Sequence, residues 1–273
     1  MTPPISRNHR PAVLPPGTLL QLMYLEERLA PLTPGRFVEI GPGSGEITQV
    51  LLDRGWSGSS YDLDSGTIAM LDARFAQEIA QQRFAAINDD FLSLPTGQLE
   101  PVDLVISCMV MEHLDEAAEA RFMGVASRIL RPAGLMIGFV PGSPSHWGIE
   151  DDIAGHCRRY TRSSFAELTA SNRWRILHMA GLTFPVSNLL LPLSNYLVRK
   201  SESAKLTLSA LERTKQSGRR EVSFKTKFPT VLGMVLNRVT MSPLHWLQKL
   251  FARSDSALVL YFEAKPSEES IHG

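Results

Sequence analysis

The sequence predicts an α/β protein built on a doubly wound, seven-stranded, mostly parallel sheet with helices on both faces. Strand-like runs alternate with helix-like ones from residue 17 to about 181, the pattern of successive strand–helix–strand units. The first strand-like run feeds a glycine-rich turn that opens a helix, and the second ends in acid. A length of 273 residues with 44% hydrophobic and 21% charged residues suits one globular domain with an elaboration.

Residues 1–16 are polar and proline-rich and read as a flexible tail without the apolar centre of a signal peptide. GTLLQLMYLEERLAPL follows, with apolar residues at helical spacing. RFVEIG is the first buried strand, GPGSGEITQVLLDRG a glycine loop running into a helix, and SSYDLD the second strand. SGTIAMLDARFAQEIAQQR reads as one helix, with Asp64 as its N-cap, and FAAINDD as the third strand. VDLVISCMV and GLMIGFVP are strands four and five, separated by the helix LDEAAEARFMGVASRILRP. HWGIEDDIAGHCRRYT then packs three carboxylates, two histidines and two adjacent arginines into one run, and Thr161 caps the next helix. RWRILHMAGL is the sixth strand and ALVLYFEAKP the seventh.

Between about 182 and 255 the alternation stops. The pattern there is helical, with interruptions at Pro185, Pro192, Gly218, Pro229 and Pro243. The expected organisation is therefore a tail (1–16), a core (17–181 and 256–266) and an inserted helical segment (182–255). That insertion reads first as a lid over a greasy acceptor pocket, then as a homodimer contact. Peripheral membrane contact by apolar helices with basic edges ranks third.

Lys plus Arg (28) balances Asp plus Glu (28), which argues against a phosphate backbone, and hence nucleic acid, as partner. Cys108 and Cys157 lie far apart without a CxxC, which fits a reducing, cytoplasmic setting and offers no zinc framework. No run of about 18 apolar residues occurs, so no spanning helix is expected.

In VEIGPGSG the glycines let the backbone turn sharply and approach a ligand, and the helix behind offers free N–H groups. Asp62 lies 21 positions after Gly41, where a carboxylate can accept from ribose hydroxyls. The dinucleotide pattern GxGxxG is not completed. Glu46 follows Gly45, and an acid there is a poor neighbour for a pyrophosphate.

VEIGPGSGEITQVL, YDLDSGTIAML, INDDFLSLP, VDLVISCMVMEHLDE and ILRPAGLMIGFVP resemble, in order, the motifs of class I S-adenosylmethionine (SAM)-dependent methyltransferases. GHCRRYT resembles a bacterial branch that acts on small molecules and on sugar- or lipid-linked substrates. The resemblance implies a Rossmann-like sheet whose last strand is antiparallel, and SAM as cofactor. It places Glu39, Gly41, Gly43 and Gly45 around the methionine part. Asp62 would hold the ribose and Leu63 pack on the adenine. Asp90 would accept from the adenine amine with Phe91 beside the ring, and Cys108 and Met109 would floor the sulfonium site.

Methyl transfer needs aligned donor and acceptor, exclusion of water and, for an alcohol or phenol, a base. His156 is the leading base candidate and His113 the second. Glu112, Trp147, Arg158, Arg159 and Tyr160 are expected on the acceptor side, with the arginines suited to an anionic group. Some quinone-type relatives build a metal site from a similar Glu-His pair with an acid three positions earlier. Met109 stands there, so no metal is expected. The expected activity is methylation of an oxygen or nitrogen of a small, lipophilic or anionic acceptor. The rivals are a SAM-binding regulatory module without turnover, a macromolecular methyltransferase and, remotely, an NAD-dependent dehydrogenase.

Overall fold

The computed structural model describes residues 13–95, 97, 99–202 and 228–267. Seven strands form one sheet: β1 (Arg36–Ile40), β2 (Ser57–Tyr61), β3 (Phe84–Ile87), β4 (Val102–Cys108), β5 (Leu130–Pro141), β6 (Trp174–Leu182) and β7 (Val259–Pro266). Their order is β3-β2-β1-β4-β5-β7-β6. The first five pair in parallel, and β7 slots antiparallel between β5 and β6.

β4 explains why the centre of the sheet reads as a continuous apolar run. Leu104, Val105 and Ile106 are all fully buried, because helices cover both faces. Leu104 and Ile106 join the cluster that includes Leu25, Leu51 and Leu71. Val105 joins the opposite cluster, with Phe122, Ala126 and Phe165.

The helices are α1 (Pro16–Leu29), α2 (Glu46–Asp53), α3 (Ser65–Arg74), α4 (Ala76–Ala80), α5 (Glu116–Ile129), α6 (Ile149–Ala154), α7 (Arg162–Ser171), α8 (Val186–Glu202) and α9 (Arg238–Leu250). Local signals set several starts. The Asp64 side chain accepts from the Thr67 N–H at 2.8 Å, and Thr161 Oγ1 accepts from the Ser164 N–H at 3.0 Å. In α5, Phe122, Met123, Ala126 and Ile129 bury one stripe at helical spacing behind the Asp115 cap.

Three expectations about elements change. The helix expected over 65–83 divides into α3 and α4 at Phe75, whose buried ring packs edge-on against Phe84 at 5.2 Å. Pro192 and Pro243 lie inside α8 and α9 rather than ending them. The segment HWGIEDDIAGHCRRYT contains a short helix, α6, closed by Gly155 at φ +77°.

The described part of the 182–255 segment folds back onto the N-terminal helix. Gln248 Nε2 donates to the Leu20 carbonyl at 3.0 Å, and Lys249 Nζ pairs with Glu27 at 2.6 Å. The basic stretch TKQSGRREVSFKTK and most of the N-terminal tail lie outside the described residues. No described helix is long and apolar enough to cross a membrane.

Candidate active site

The carboxyl ends of β1, β2, β4 and β5 converge on one edge of the sheet, where strand order reverses and open α/β sheets bind ligands. A cavity of about 600 Å³ opens there. Its first half is walled by Glu39, Gly41, Gly43, Asp62 and Leu63, with Asp90 and Phe91.

Glu39, one residue before the end of β1, is fully buried. Thr48 Oγ1 and Ser60 Oγ both donate to its Oε2, while Oε1 has no partner among the described residues. Burial raises its carboxyl to about pH 7, although the two hydroxyls pull the other way. Gly41, at φ +67°, has its absent Cβ position 2.4 Å from Val110 Cγ2, so a side chain there would collide with the wall. Gly45 differs from its sequence assignment. Its Cβ position points 2.7 Å from Leu71 and 2.8 Å from Phe75, away from the cavity, so it serves helix packing.

Asp62 closes β2, and its Oδ1 accepts the Asp64 N–H at 2.8 Å. Leu63 is exposed on the rim at 44%. Asp90 accepts from the Leu92 N–H and the Ser93 hydroxyl, both at 2.9 Å, so it shapes its own turn as well as the cavity wall. Phe91 is buried and packs on Phe122 at 5.4 Å, joining core to cavity.

At the end of β4, Cys108 and Met109 form the floor. Burial pushes the Cys108 thiol up, so it stays protonated and inert. Met109 holds a left-handed backbone, φ +54°, fixed by its N–H donating to the Phe139 carbonyl at 2.9 Å.

The cavity is also lined by α1, α6, α8 and the segment leading into β7. Leu22, Phe139, Pro141, Ala154, Leu191 and Leu258 are its apolar walls. Its polar wall is Glu112, His113, His156 and Arg159. Glu112 is 0% exposed, and neither carboxylate oxygen has a hydrogen-bond partner among the described residues. Burial raises its carboxyl to about pH 8. His156 Nε2 lies 3.7 Å from Glu112 Oε1, and the rings of His113 and His156 meet edge-on at 4.8 Å. One donor atom each from Glu112, His113 and His156 lies within 4.8 Å of the others.

His156 is held by a residue that sequence reasoning did not single out. Fully buried Asp151 accepts from His156 Nδ1 at 2.8 Å, from Arg159 Nε at 2.8 Å and from the Gly148 N–H at 2.8 Å. Burial alone would raise the Asp151 carboxyl, but these donors outweigh it and hold it below its ordinary value. An ionised carboxylate only accepts, so the His156 Nδ1–H points to Asp151 and Nε2 is the ring nitrogen turned toward Glu112. The pattern of apolar residues in α1 likewise hid Thr18 and Gln21, which line the cavity. They stand three apart on one helical face, a spacing that was available as a signal.

The remaining expected residues turn elsewhere. Arg158 pairs with Glu119 at 2.8 Å, and the buried Tyr160 hydroxyl donates to the other Glu119 oxygen. Trp147 is 42% exposed and its indole N–H donates to Asp152 at 3.0 Å. Arg158, Tyr160 and Trp147 do not line the cavity; their polar tips are engaged by Glu119 and Asp152.

Residues 18–178, more than half of the chain, match the family described as Methyltransferase domain. The chain belongs to that family. That family is one of class I SAM-dependent methyltransferases, and the site fits SAM: Gly41 lines the cavity where a Cβ would collide with the Val110 wall, and a buried carboxylate oxygen of Glu39 has no partner among the described residues. The chain is similar over 74 residues, at 40% identity, to "Probable ribosomal RNA small subunit methyltransferase A" of Methanospirillum hungatei JF-1. That stretch is 27% of this chain and 28% of the relative, so the match spans only about a quarter of the curated protein. Among solved structures, the fold is similar to the glycopeptide N-methyltransferase MtfA complexed with SAM, at 14% identity and TM-score 0.50. The likeness covers 65% of this chain and 92% of that one. Magnesium protoporphyrin IX methyltransferase (ChlM) from Synechocystis PCC 6803 is also similar, at 14% identity and TM-score 0.50, covering 61% and 77% of the two chains.

Proposed function

We propose that this methyltransferase transfers the SAM methyl group to an oxygen or nitrogen of a small organic acceptor. The observation that carries the reading is the single cavity that runs from the glycine loop past Met109 into a chamber with apolar walls and one polar side. Its volume of about 600 Å³ lies within the range of small-molecule pockets, roughly 300–1,000 Å³. The balanced charge of the chain supports it, since a nucleic-acid track calls for a basic surface.

In this reading Glu39 takes the methionine ammonium, Asp62 the ribose hydroxyls and Leu63 the adenine face. Asp90 accepts from the adenine amine with Phe91 beside the ring, while Gly41 and Gly43 leave room for the ligand. Bound SAM supplies a methyl group on a positively charged sulfur. Cys108 and Met109 wall that region without offering it a competing nucleophile. Glu112, His113 and His156 face the acceptor, with His156 orienting it through Nε2, and Arg159 lies at the same wall. Leu191 of α8 roofs the chamber, so the inserted segment acts as a lid that excludes water.

The experiment has two steps. Mass spectrometry of ligand retained through purification, with calorimetry of SAM, tests the cofactor half. Turnover across a panel of hydroxylated and amino metabolites tests the acceptor half. Small-subunit ribosomal RNA belongs in the panel, because the curated relative is named for it. Methylation of that RNA and of no metabolite would overturn the small-acceptor reading. SAM binding without turnover on any member would favour a regulatory module.

A further inference from the structure

We infer that the outer faces of α8 and α9 form a docking surface for an anionic lipid bilayer. Two apolar stripes carry the inference. On α8, Leu189, Leu193 and Tyr196 recur at helical spacing, and on α9 Val239, Trp246 and Leu250 do the same. All six are between 55% and 81% exposed. Among the described residues, the large apolar side chains that are exposed outside residues 189–251 are Leu63, Trp147 and Leu177. Exposed apolar surface concentrated in one segment marks an interaction face, whereas scattered single residues do not.

The inner stripes of both helices are already packed. Val186 of α8 and Met241 and Leu244 of α9 join Leu19 and Leu20 of α1 in one apolar cluster. Leu191, on the side of α8 opposite Leu189 and Leu193, lines the cavity. The outer stripes are therefore a second apolar face, which the fold of the chain does not require.

Charge selects the occupant. The chain is neutral as a whole, yet residues 182–255 carry twelve lysines and arginines against four aspartates and glutamates. Arg199 and Lys200 stand in the last turn of α8 and Arg238 opens α9. Lys249 Nζ lies 4.4 Å from the centre of the Trp246 ring. Apolar stripes with basic edges, and with Trp and Tyr among them, suit the headgroup level of an anionic bilayer. A two-fold pairing of copies would set the same positive segment against itself. Nucleic acid would take the cations and leave the aliphatic side chains in water. Taken with the acceptor reading above, on which this step rests, the docking surface narrows the acceptor to a lipophilic molecule that partitions into bilayers. The docking itself requires no acceptor.

The test uses the full chain with vesicles of phosphatidylcholine alone and of phosphatidylcholine mixed with phosphatidylglycerol, read by flotation. The parent should partition onto the anionic vesicles, much less onto the neutral ones, and less in high salt. Leu193→Glu and Trp246→Glu should each lower the partition at least about 10-fold, because each sets a charge where an apolar side chain enters the bilayer. Trp246→Leu should keep most of it. Melting temperature and SAM Kd should match the parent in all three, since both positions are exposed. A parent that binds SAM but not anionic vesicles would overturn the docking surface and leave the small-acceptor reading standing. Equal partition of parent and Glu variants would overturn it too, leaving adsorption through the basic residues alone. In place of vesicle binding, a dimer in ultracentrifugation that both Glu variants abolish would give the face to a second copy. Retention of single-stranded RNA without vesicle binding would give the cations to nucleic acid. A lower melting temperature in both Glu variants, with no vesicle binding by the parent, would give the face to another segment of the chain.

Discussion

Burial ties Glu39 to the pH dependence of folding and, in the proposed reading, of SAM binding. Its raised folded-state value, near 7, means that the folded chain holds a proton the unfolded chain has released. The stability this contributes is fully present below the unfolded value of 4.5 and is lost as pH rises through about 7. The loss amounts to about 3 kcal/mol. Denaturant titrations across that window should show the decline, and Glu39→Gln should remove its share of the slope. A bound ammonium favours the ionised form, so SAM should bind more tightly from about pH 6 to 8 in the parent and lose that component of the pH dependence in Glu39→Gln. Asp62→Ala should cost about 1–3 kcal/mol of SAM affinity by calorimetry, the worth of one or two hydrogen bonds. Gly45→Ala should instead lower the melting temperature, because its Cβ would press on Leu71 and Phe75 while φ is +82°. The sequence showed three glycines of equal standing. Only the positions of α3 and Phe75 separate Gly45 from the two that line the cavity.

The segment from Trp147 to Tyr160 divides into two faces at the scale of the element. His156 and Arg159 face the cavity, while Arg158 and Tyr160 latch onto Glu119 of α5. Tyr160→Phe removes a buried donor and leaves a Glu119 oxygen unsatisfied, so it should cost about 1–3 kcal/mol of stability. Turnover per folded molecule should hold. His156→Ala should do the reverse, lowering kcat by about 10²-fold or more with SAM affinity unchanged. Melting curves and rates on the same preparations distinguish the two faces; a fall in both for Tyr160→Phe would show that the latch also shapes the site. The composition of this run fitted either a site mouth or a self-paired loop, and did not say which residues faced the cavity. An irregular loop has no period from which facing can be read, unlike the stripe of Phe122, Met123, Ala126 and Ile129 in α5.

Assembly of the chamber proposed for the acceptor is a property of the whole molecule. It takes Leu22 from α1, Ala154 from α6, Leu191 from α8 and Leu258 from the approach to β7. In the proposed reading none of these residues touches the cofactor, so the two ligands should be separable. Leu191→Trp should fill the chamber and raise the acceptor KM while the SAM Kd stays within about twofold. Equal weakening of both ligands would mean that α8 also supports the cofactor loop.

The sequence by itself determined what depends on near neighbours and on periodicity. That includes the alternation of strands and helices, the glycine turn after β1, the acid closing β2, and the helix caps at Asp64 and Thr161. Each rests on backbone conformation or on contacts a few positions apart, so the residue types carry the information directly. The tertiary structure alone decided what depends on distant segments meeting. His156 and Glu112 are 44 positions apart and touch only because the turns after β4 and β5 share one edge of the sheet. Asp151, one of three acids in its run, became the support of His156 because α6 buries it while its neighbour Asp152 turns to Trp147. Burial then gave Glu39 and Glu112 protonation behaviour that no residue letter carries, since desolvation is a property of the packed surroundings and not of the side chain.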